Sequence, residues 1–283
     1  MMAGMRESDL IRGERSAVEA SAEPRTRASL AAELRALGVT AGSVVLVHSS
    51  LSSLGWVCGG PVAVAGALLD AVGTAGTVAV PTHTTGNSDP AGWSNPPVPP
   101  SWWPTIREQM PAFDAQITPS TGMGAIAELV RTLPGARRSA HPQTSFAAVG
   151  PHAEQITSGH ALDCAMGERS PLARIYDLRA NVLLLGVGHA SNSSFHLAEY
   201  RMPNPPRDRT GAAVVTPAGR EWVTYEDVQI DAEDFDELGA AFDATGRSRR
   251  GPVGSAQARL FELRDAVDFA VAWLGRRRGP VAG

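Results

Sequence analysis

The sequence predicts an α/β fold. Three features carry that prediction: continuous apolar runs of strand length, segments of helical length between them, and polar turns where the runs stop. Ser43–Val47, Thr77–Val80 and Asn181–Val187 are short Val/Leu/Ala-rich runs without polar alternation. Strands of that kind are buried on both faces, so helices must cover both sides of their sheet.

Residues 1–25 are polar, rich in Arg and Glu, and lack the apolar segment of a signal peptide. They are expected to form a mobile tail, with one domain over 26–283. Thr26–Leu37 has helical periodicity and stops at Gly38. The run Ser43–Val47 then ends at His48-Ser49-Ser50. Pro61–Val72 is apolar and of helical length, with Pro at its start and Gly73 at its end. Thr77–Val80 is closed by Pro81. Thr82–Pro119 is irregular and Pro-rich; a loop that long inside a compact domain is functional or disordered. Trp93, Trp102 and Trp103 argue for order, because such side chains call for burial. The stretch is expected to be an ordered active-site wall. Met123–Leu133 follows as a helix. Ala212–Tyr225 is expected to be a hairpin around Pro217-Ala218-Gly219. Gln257–Leu274 is expected to be an amphipathic helix with Leu260, Leu263, Val267, Val271 and Leu274 on one stripe.

Composition narrows the function. Of the 283 residues, 43% are hydrophobic and 19% charged, an ordinary globular balance. The formal charge of −4 speaks against a nucleic-acid partner, which calls for a basic face. Cys58 and Cys164 are isolated, so neither a disulfide framework nor a CxxC site is expected, and a cytoplasmic location fits. No run of about 18 apolar residues suggests a membrane span.

Three polar constellations could carry chemistry. The first is Gly186–Tyr200, a strand end followed by a turn with Asn192, Ser193 and Ser194 that can cap the next helix. His196 and Glu199, three apart, share a helix face and suit a general base with an orienting carboxylate. The plainer alternative is a His and a Glu that decorate a helix end. The second is Arg138–Phe146, where Pro142 holds His141 extended. It is either a ligand-positioning loop or a surface loop whose His bonds its own turn. The third is His48–Gly55, at the carboxyl end of a buried strand, where ligands collect in open α/β sheets. GxGxxG, GxxxxGK[ST], GxSxG and HExxH are all missing, which leaves nucleotide, serine-nucleophile and zinc-hydrolase readings without a motif. A zinc triad of His189, His196 and Glu199 is the remaining metal alternative, and no metal is expected.

The combination of Leu46–Gly60, Pro96–Asp114, Arg138–Gly150, Ser170–Leu178 and Leu183–Arg201 resembles the antibiotic N-acetyltransferase family, of the aminoglycoside 3-N-acetyltransferase type. The resemblance covers about Thr26 to Leu274. It implies the family's own α/β fold, a mixed sheet flanked by helices and distinct from the GNAT fold, with 82–119 as the active-site insertion. It implies acetyl-CoA as co-substrate, an aminoglycoside as acceptor, and a role in antibiotic resistance. His196 is the implied catalytic residue with Glu199, and His141 lies near the reaction centre. His48, Ser49, Ser50 and Leu51 fall on the CoA side, and Ser120 and Thr121 are placed with them. Asp89, Asp114, Asn192 and Glu199 are the expected acceptor contacts, Glu199 serving both His196 and the incoming amine. The expected assembly is a monomer or homodimer without nucleic-acid or membrane partners. The family pattern carries an acidic residue where this chain has Ala190, which removes one carboxylate that an aminoglycoside would meet.

Overall fold

The structure is a computed structural model that describes residues 14–19 and 21–278. Helix α1 (Arg27–Leu37) starts at Thr26, whose hydroxyl accepts the Ser29 N–H in a capping box. Strand β1 (Val44–Ser49) leads to α2 (Gly60–Val72), then β2 (Thr77–Pro81). The insertion holds α3 (Trp103–Gln109), and α4 (Gly124–Thr132) follows it. Next come β3 (Arg137–Arg138), β4 (Phe146–Val149), α5 (Ala153–Thr157), α6 (Pro171–Asp177) and β5 (Asn181–Leu185). The chain continues through α7 (His196–Tyr200), β6 (Arg207–Thr216), β7 (Gly219–Val228), α8 (Phe235–Asp243), β8 (Arg249–Val253), β9 (Ala256–Glu262) and α9 (Leu263–Arg277).

Seven strands form one mixed sheet in the order β3-β4-β2-β1-β5-β9-β8. Its centre is parallel: β1 pairs with β2 and with β5 in the same direction. The outer strands are antiparallel. Side chains alternate across a strand, so β1 feeds two cores. Val45 and Val47 pack with Leu30, Leu34, Val64, Leu68 and Ile126 under α1, α2 and α4. Val44 and Leu46 pack with Ile156, Leu172, Phe235, Phe242 and Val267 under α5, α6, α8 and α9. Each fully buried aliphatic side chain contributes roughly 1.5–3 kcal/mol. This two-sided demand is why the central runs show no polar alternation.

Three expectations are corrected. Gln257–Glu262 is the strand β9, not the first turns of the C-terminal helix, which begins at Leu263. There Leu260 and Phe261 enter opposite cores, and pairing with β5 outweighs the helical spacing. The tail expected over 1–25 is tied down in its described part. The Trp56 N–H donates to the Ser21 hydroxyl at 2.8 Å, and Arg25 bridges to Val57. Residues 1–13 and 20 lie outside the described residues. The insertion does not bury its tryptophans: Trp102 is 57% exposed, and Trp93 and Trp103 are partly buried. Polar contacts fasten it instead, with Arg107 bidentate on Asp89 and the Phe113 N–H donating to the Ala213 carbonyl. The latter ties the insertion to the separate β6–β7 hairpin.

Candidate active site

The three central parallel strands deliver histidines to one place. His48 is the penultimate residue of β1, His83 stands two residues past β2, and the turn after β5 leads to His196. A cavity of about 260 Å³ opens there, lined by His48, Ser49, His83, Ser191, Ser193 and His196 among others. The carboxyl edge of a parallel sheet is where such a fold leaves its crevice.

The turn after β5 is tightly specified. Gly186 has φ 71°, and a Cβ there would lie 1.8 Å from the Ser53 hydroxyl, so only glycine fits. The Asn192 side chain accepts the Ser194 N–H at 3.2 Å and its hydroxyl at 2.6 Å. That cap starts the one-turn helix Ser193–Phe195, which runs into α7. His196 Nδ1 then lies 2.6 Å from Glu199 Oε2. Glu199 Oε1 accepts the Asp231 N–H at 2.9 Å and a guanidinium N–H of Arg278. Arg278 is itself paired with Asp234, and the two carboxylates raise its pKa further against the opposing effect of burial. An ionised Glu199 fixes the proton on Nδ1 of His196 and leaves Nε2 with the lone pair. The arrangement can accept a proton from a nucleophile and hold the resulting imidazolium.

Two more imidazoles share this cavity. Burial pushes His48 down to about 3, helped by nearby His196. Burial does the same to His83, also to about 3, with His196, His48, His141 and Arg138 adding to the effect. Both are neutral at physiological pH.

The other expected site residues fall elsewhere. His141 is 1% exposed and does not line the cavity. Its Nε2–H donates to the Leu162 carbonyl at 3.1 Å, and its Nδ1 accepts the Gln143 and Thr144 N–H groups at 3.1 Å. Both nitrogens are committed to holding a turn, and burial lowers its pKa to about 4. In the structure His141 lies close to His83 but off the cavity wall, with its ring nitrogens bonded within the protein. Asn192 is buried with its Oδ1 committed to the cap, while its Nδ2 has no partner among the described residues. Glu199 is 2% exposed, with one oxygen on His196 and the other on the Asp231 N–H and Arg278. Asp89 faces a different cavity between the insertion and the hairpin, with Asp208 and Trp222. Asp114 caps a turn through the Gln116 N–H at 2.7 Å. Of the His48–Leu51 segment, His48 and Ser49 line the cavity, whereas Ser50 bonds the Leu185 carbonyl and Leu51 packs on the core. Ser120 donates to Glu128, and the Thr121 N–H donates to the His83 carbonyl at 2.7 Å.

Sequence reasoning missed His83, Ser191, Arg278 and Asp231. For His83 a signal existed, because it follows an apolar run just as His48 does. The metal alternative finds no cluster: His189 binds Asp243 at 3.0 Å, away from His196 and Glu199. Among the described residues no group of three or more His, Cys, Asp or Glu is disposed to hold a metal ion. Among them, too, no helix is long and apolar enough to cross a membrane. Cys58 is exposed and Cys164 buried, and neither lines the cavity.

Fold and site together are an α/β mixed sheet with a cavity at the carboxyl edge of its parallel strands, where a histidine is paired with a buried carboxylate. A family model described as Aminoglycoside 3-N-acetyltransferase matches residues 46–275, and the chain belongs to that family. It is 48% identical over 257 residues to the SPbeta prophage-derived aminoglycoside N(3')-acetyltransferase-like protein YokD of Bacillus subtilis (strain 168), covering 90% of this chain and 94% of that one. The YokD crystal structure superimposes with a TM-score of 0.92 at 45% identity, covering 94% of this chain and 100% of the other. AAC-IIIb in a binary complex with CoASH has a TM-score of 0.81 at 33% identity, covering 92% and 100%. AAC-VIa bound to sisomicin has a TM-score of 0.81 at 33% identity, covering 90% and 99%.

Proposed function

We propose that this protein transfers the acetyl group of acetyl-CoA to the 3-amino group of an aminoglycoside, directly and within a ternary complex. The observation that carries the reading is His196 on the cavity wall, 2.6 Å from a Glu199 that is itself anchored. In this reading the acceptor nitrogen attacks the thioester carbonyl while His196 takes its proton. Glu199 holds the ring and balances its charge, and Arg278 and the Asp231 N–H hold Glu199. No acyl-enzyme is required, because a thioester is already activated. The CoASH and sisomicin complexes of the two related enzymes support the choice of both substrates.

A second cavity supports the donor side. Ser53, Gly186, Gly188, Ser255 and Arg259 line it, and it shares Val187 with the histidine cavity. Hydroxyls, glycine backbone and one cation suit the phosphates of CoA. Arg259 therefore joins His48 and Ser49 as a candidate donor contact. On the acceptor side, Asp208 in the insertion–hairpin cavity is the candidate partner for an ammonium group, while Asp89 there is held by Arg107.

Release of free thiol from acetyl-CoA against a panel of aminoglycosides, with product regiochemistry by NMR, tests the proposal. A 3-N-acetylated product is expected. Ala190 in place of an acidic residue favours one competing reading, a different small amine as acceptor. A panel that fails throughout, with thiol release from other amines, would establish it.

A further inference from the structure

The His196–Glu199 pair is one end of a line of charges that runs to the far end of the chain. Arg278 follows α9 directly and lies 79 positions beyond Glu199. Its backbone N–H donates to the Leu274 carbonyl at 2.7 Å, which fixes where the side chain starts. One guanidinium N–H goes to Glu199 Oε1. The Nε–H donates to Asp234 Oδ2 at 2.9 Å. Nη2 donates to Asp234 Oδ1 and, at 2.8 Å, to the Asp231 carbonyl. Arg278 thereby joins α7, α9 and the segment between β7 and α8. From the cavity wall inward the groups are His196, Glu199, Arg278 and Asp234, so carboxylate and cation alternate behind the ring.

Burial separates this line from the pair beside it. The Arg277 and Glu237 side chains are 57% and 60% exposed, and a pair so exposed contributes little. The Glu199 side chain is 3% exposed, Arg278 23% and Asp234 17%. Charges shielded from water to that degree act on one another strongly.

We propose that Arg278 is a positioning residue for the transfer: it keeps Glu199 ionised and turned to His196, and its charge, offset in part by Asp234, sets the pH above which the pair can take a proton. The inference rests on the acetyl-transfer reading above and deepens it.

Without the cation, the buried Glu199 carboxylate has only His196 to balance it. The pair then holds a proton more tightly, whether on the ring or on the carboxylate, and is free to act as a base only at higher pH. Loss of Asp234 has the opposite sign, because the charge of Arg278 then acts on Glu199 without an offset. The other titratable groups facing the pair are His48 on β1 and His83 after β2, both held neutral chiefly by burial. Asp231 meets Glu199 through its N–H, while its carboxylate accepts the Glu233 N–H at 2.9 Å.

The test follows the pair in the enzyme without substrates, by NMR of histidine labelled with carbon-13 at Cε1. Loss of a signal in His196→Gln identifies that of His196. In Arg278→Met the titration midpoint should rise by about one to two pH units. In Arg278→Lys, which keeps the charge and loses the planar fork, it should stay close to wild type. In Asp234→Asn it should fall by roughly half a unit, because Asp234 acts from behind the guanidinium. The acid limb of kcat/KM for acetyl-CoA should move in step, and the rate that Arg278→Met loses near neutral pH should return at higher pH. A merely structural role for Arg278 predicts neither the opposite shifts nor that recovery. Urea unfolding shows whether Arg278→Met is folded; if it is not, the direction of the Asp234→Asn shift decides alone. If no aminoglycoside is acetylated while the midpoints still move apart, the acceptor reading fails and the assignment of Arg278 stands. A folded Arg278→Met with the wild-type midpoint would overturn the proposal. So would an Asp234→Asn midpoint that is unmoved or raised.

Discussion

Two histidine-bearing regions of this molecule use the same side chain in opposite ways. In the loop around His141, every ring nitrogen is bonded: His141 to Leu162, Gln143 and Thr144, and His160 to Ser139 and Ala165. At the ends of the parallel strands, His196 has one nitrogen on a carboxylate, and Nε2 of His48 and of His83 are without partners among the described residues. Both regions are polar and well packed, and in sequence both are a His among Ser, Thr and Asn. What separates scaffold from site is which hydrogen-bond capacity remains after folding. A buried nitrogen already bonded twice can neither take a proton nor give one without breaking the fold around it.

The sharpest way to break this comparison is His196→Ala, which should lower kcat by roughly 10²–10⁴-fold with little change in CoA binding. Steady-state kinetics with binding measured by calorimetry would decide it, and near wild-type turnover would return His141 to consideration. Glu199→Gln comes next. Gln still accepts from Nδ1 but no longer balances imidazolium, so kcat should fall roughly tenfold to a hundredfold. Acceptor KM should stay near wild type, because Glu199 is 2% exposed and turned inward. A rise in acceptor KM matching the fall in kcat would show that the carboxylate touches substrate after all.

His141→Ala should act on stability, not chemistry. It leaves the Gln143 and Thr144 N–H groups without an acceptor, which costs about 1–3 kcal/mol per unsatisfied group. Urea unfolding beside kcat measures both, and a loss of rate without loss of stability would contradict the scaffold role.

The smallest effect per residue is in the pH dependence of folding. His141 is held near 4 and His48 and His83 near 3 in the folded state, against about 6.5 when unfolded. The unfolded chain therefore binds protons first as pH falls. The stability of the neutral rings is complete above about pH 6.5 and declines towards pH 4, by about 1.4 kcal/mol per pH unit for each. Denaturant midpoints at about pH 7.5 and about pH 5 should differ accordingly. His141→Gln should flatten the slope by one proton, and an unchanged slope would mean that the buried rings are already charged.

Much of this was legible from local signals. Thr26 and Gly38 bound α1, Pro61 and Gly73 bracket most of α2, and Asn192 opens the turn before α7, because caps and φ-restricted residues act over a few positions. The spacing of His196 and Glu199 foretold their hydrogen bond for the same reason, since residues three apart on a helix meet. Tertiary structure alone decided what depends on distant partners. Residues 257–262 have a stripe that suits a helix, yet pairing with β5, more than 70 positions earlier, makes them a strand. Glu199 had an open carboxylate in sequence and has none in the fold, because Arg278 arrives from 79 residues away. His141 and His83 differ for a related cause. His83 follows an apolar run and His141 sits in a polar loop, but only the sheet register brings β1, β2 and β5 side by side, and it sets His83 at the cavity, whereas His141 bonds its own loop and the distant Leu162 carbonyl. Spacing along a chain fixes which neighbours can meet, whereas burial and long-range pairing fix which polar atoms remain without one.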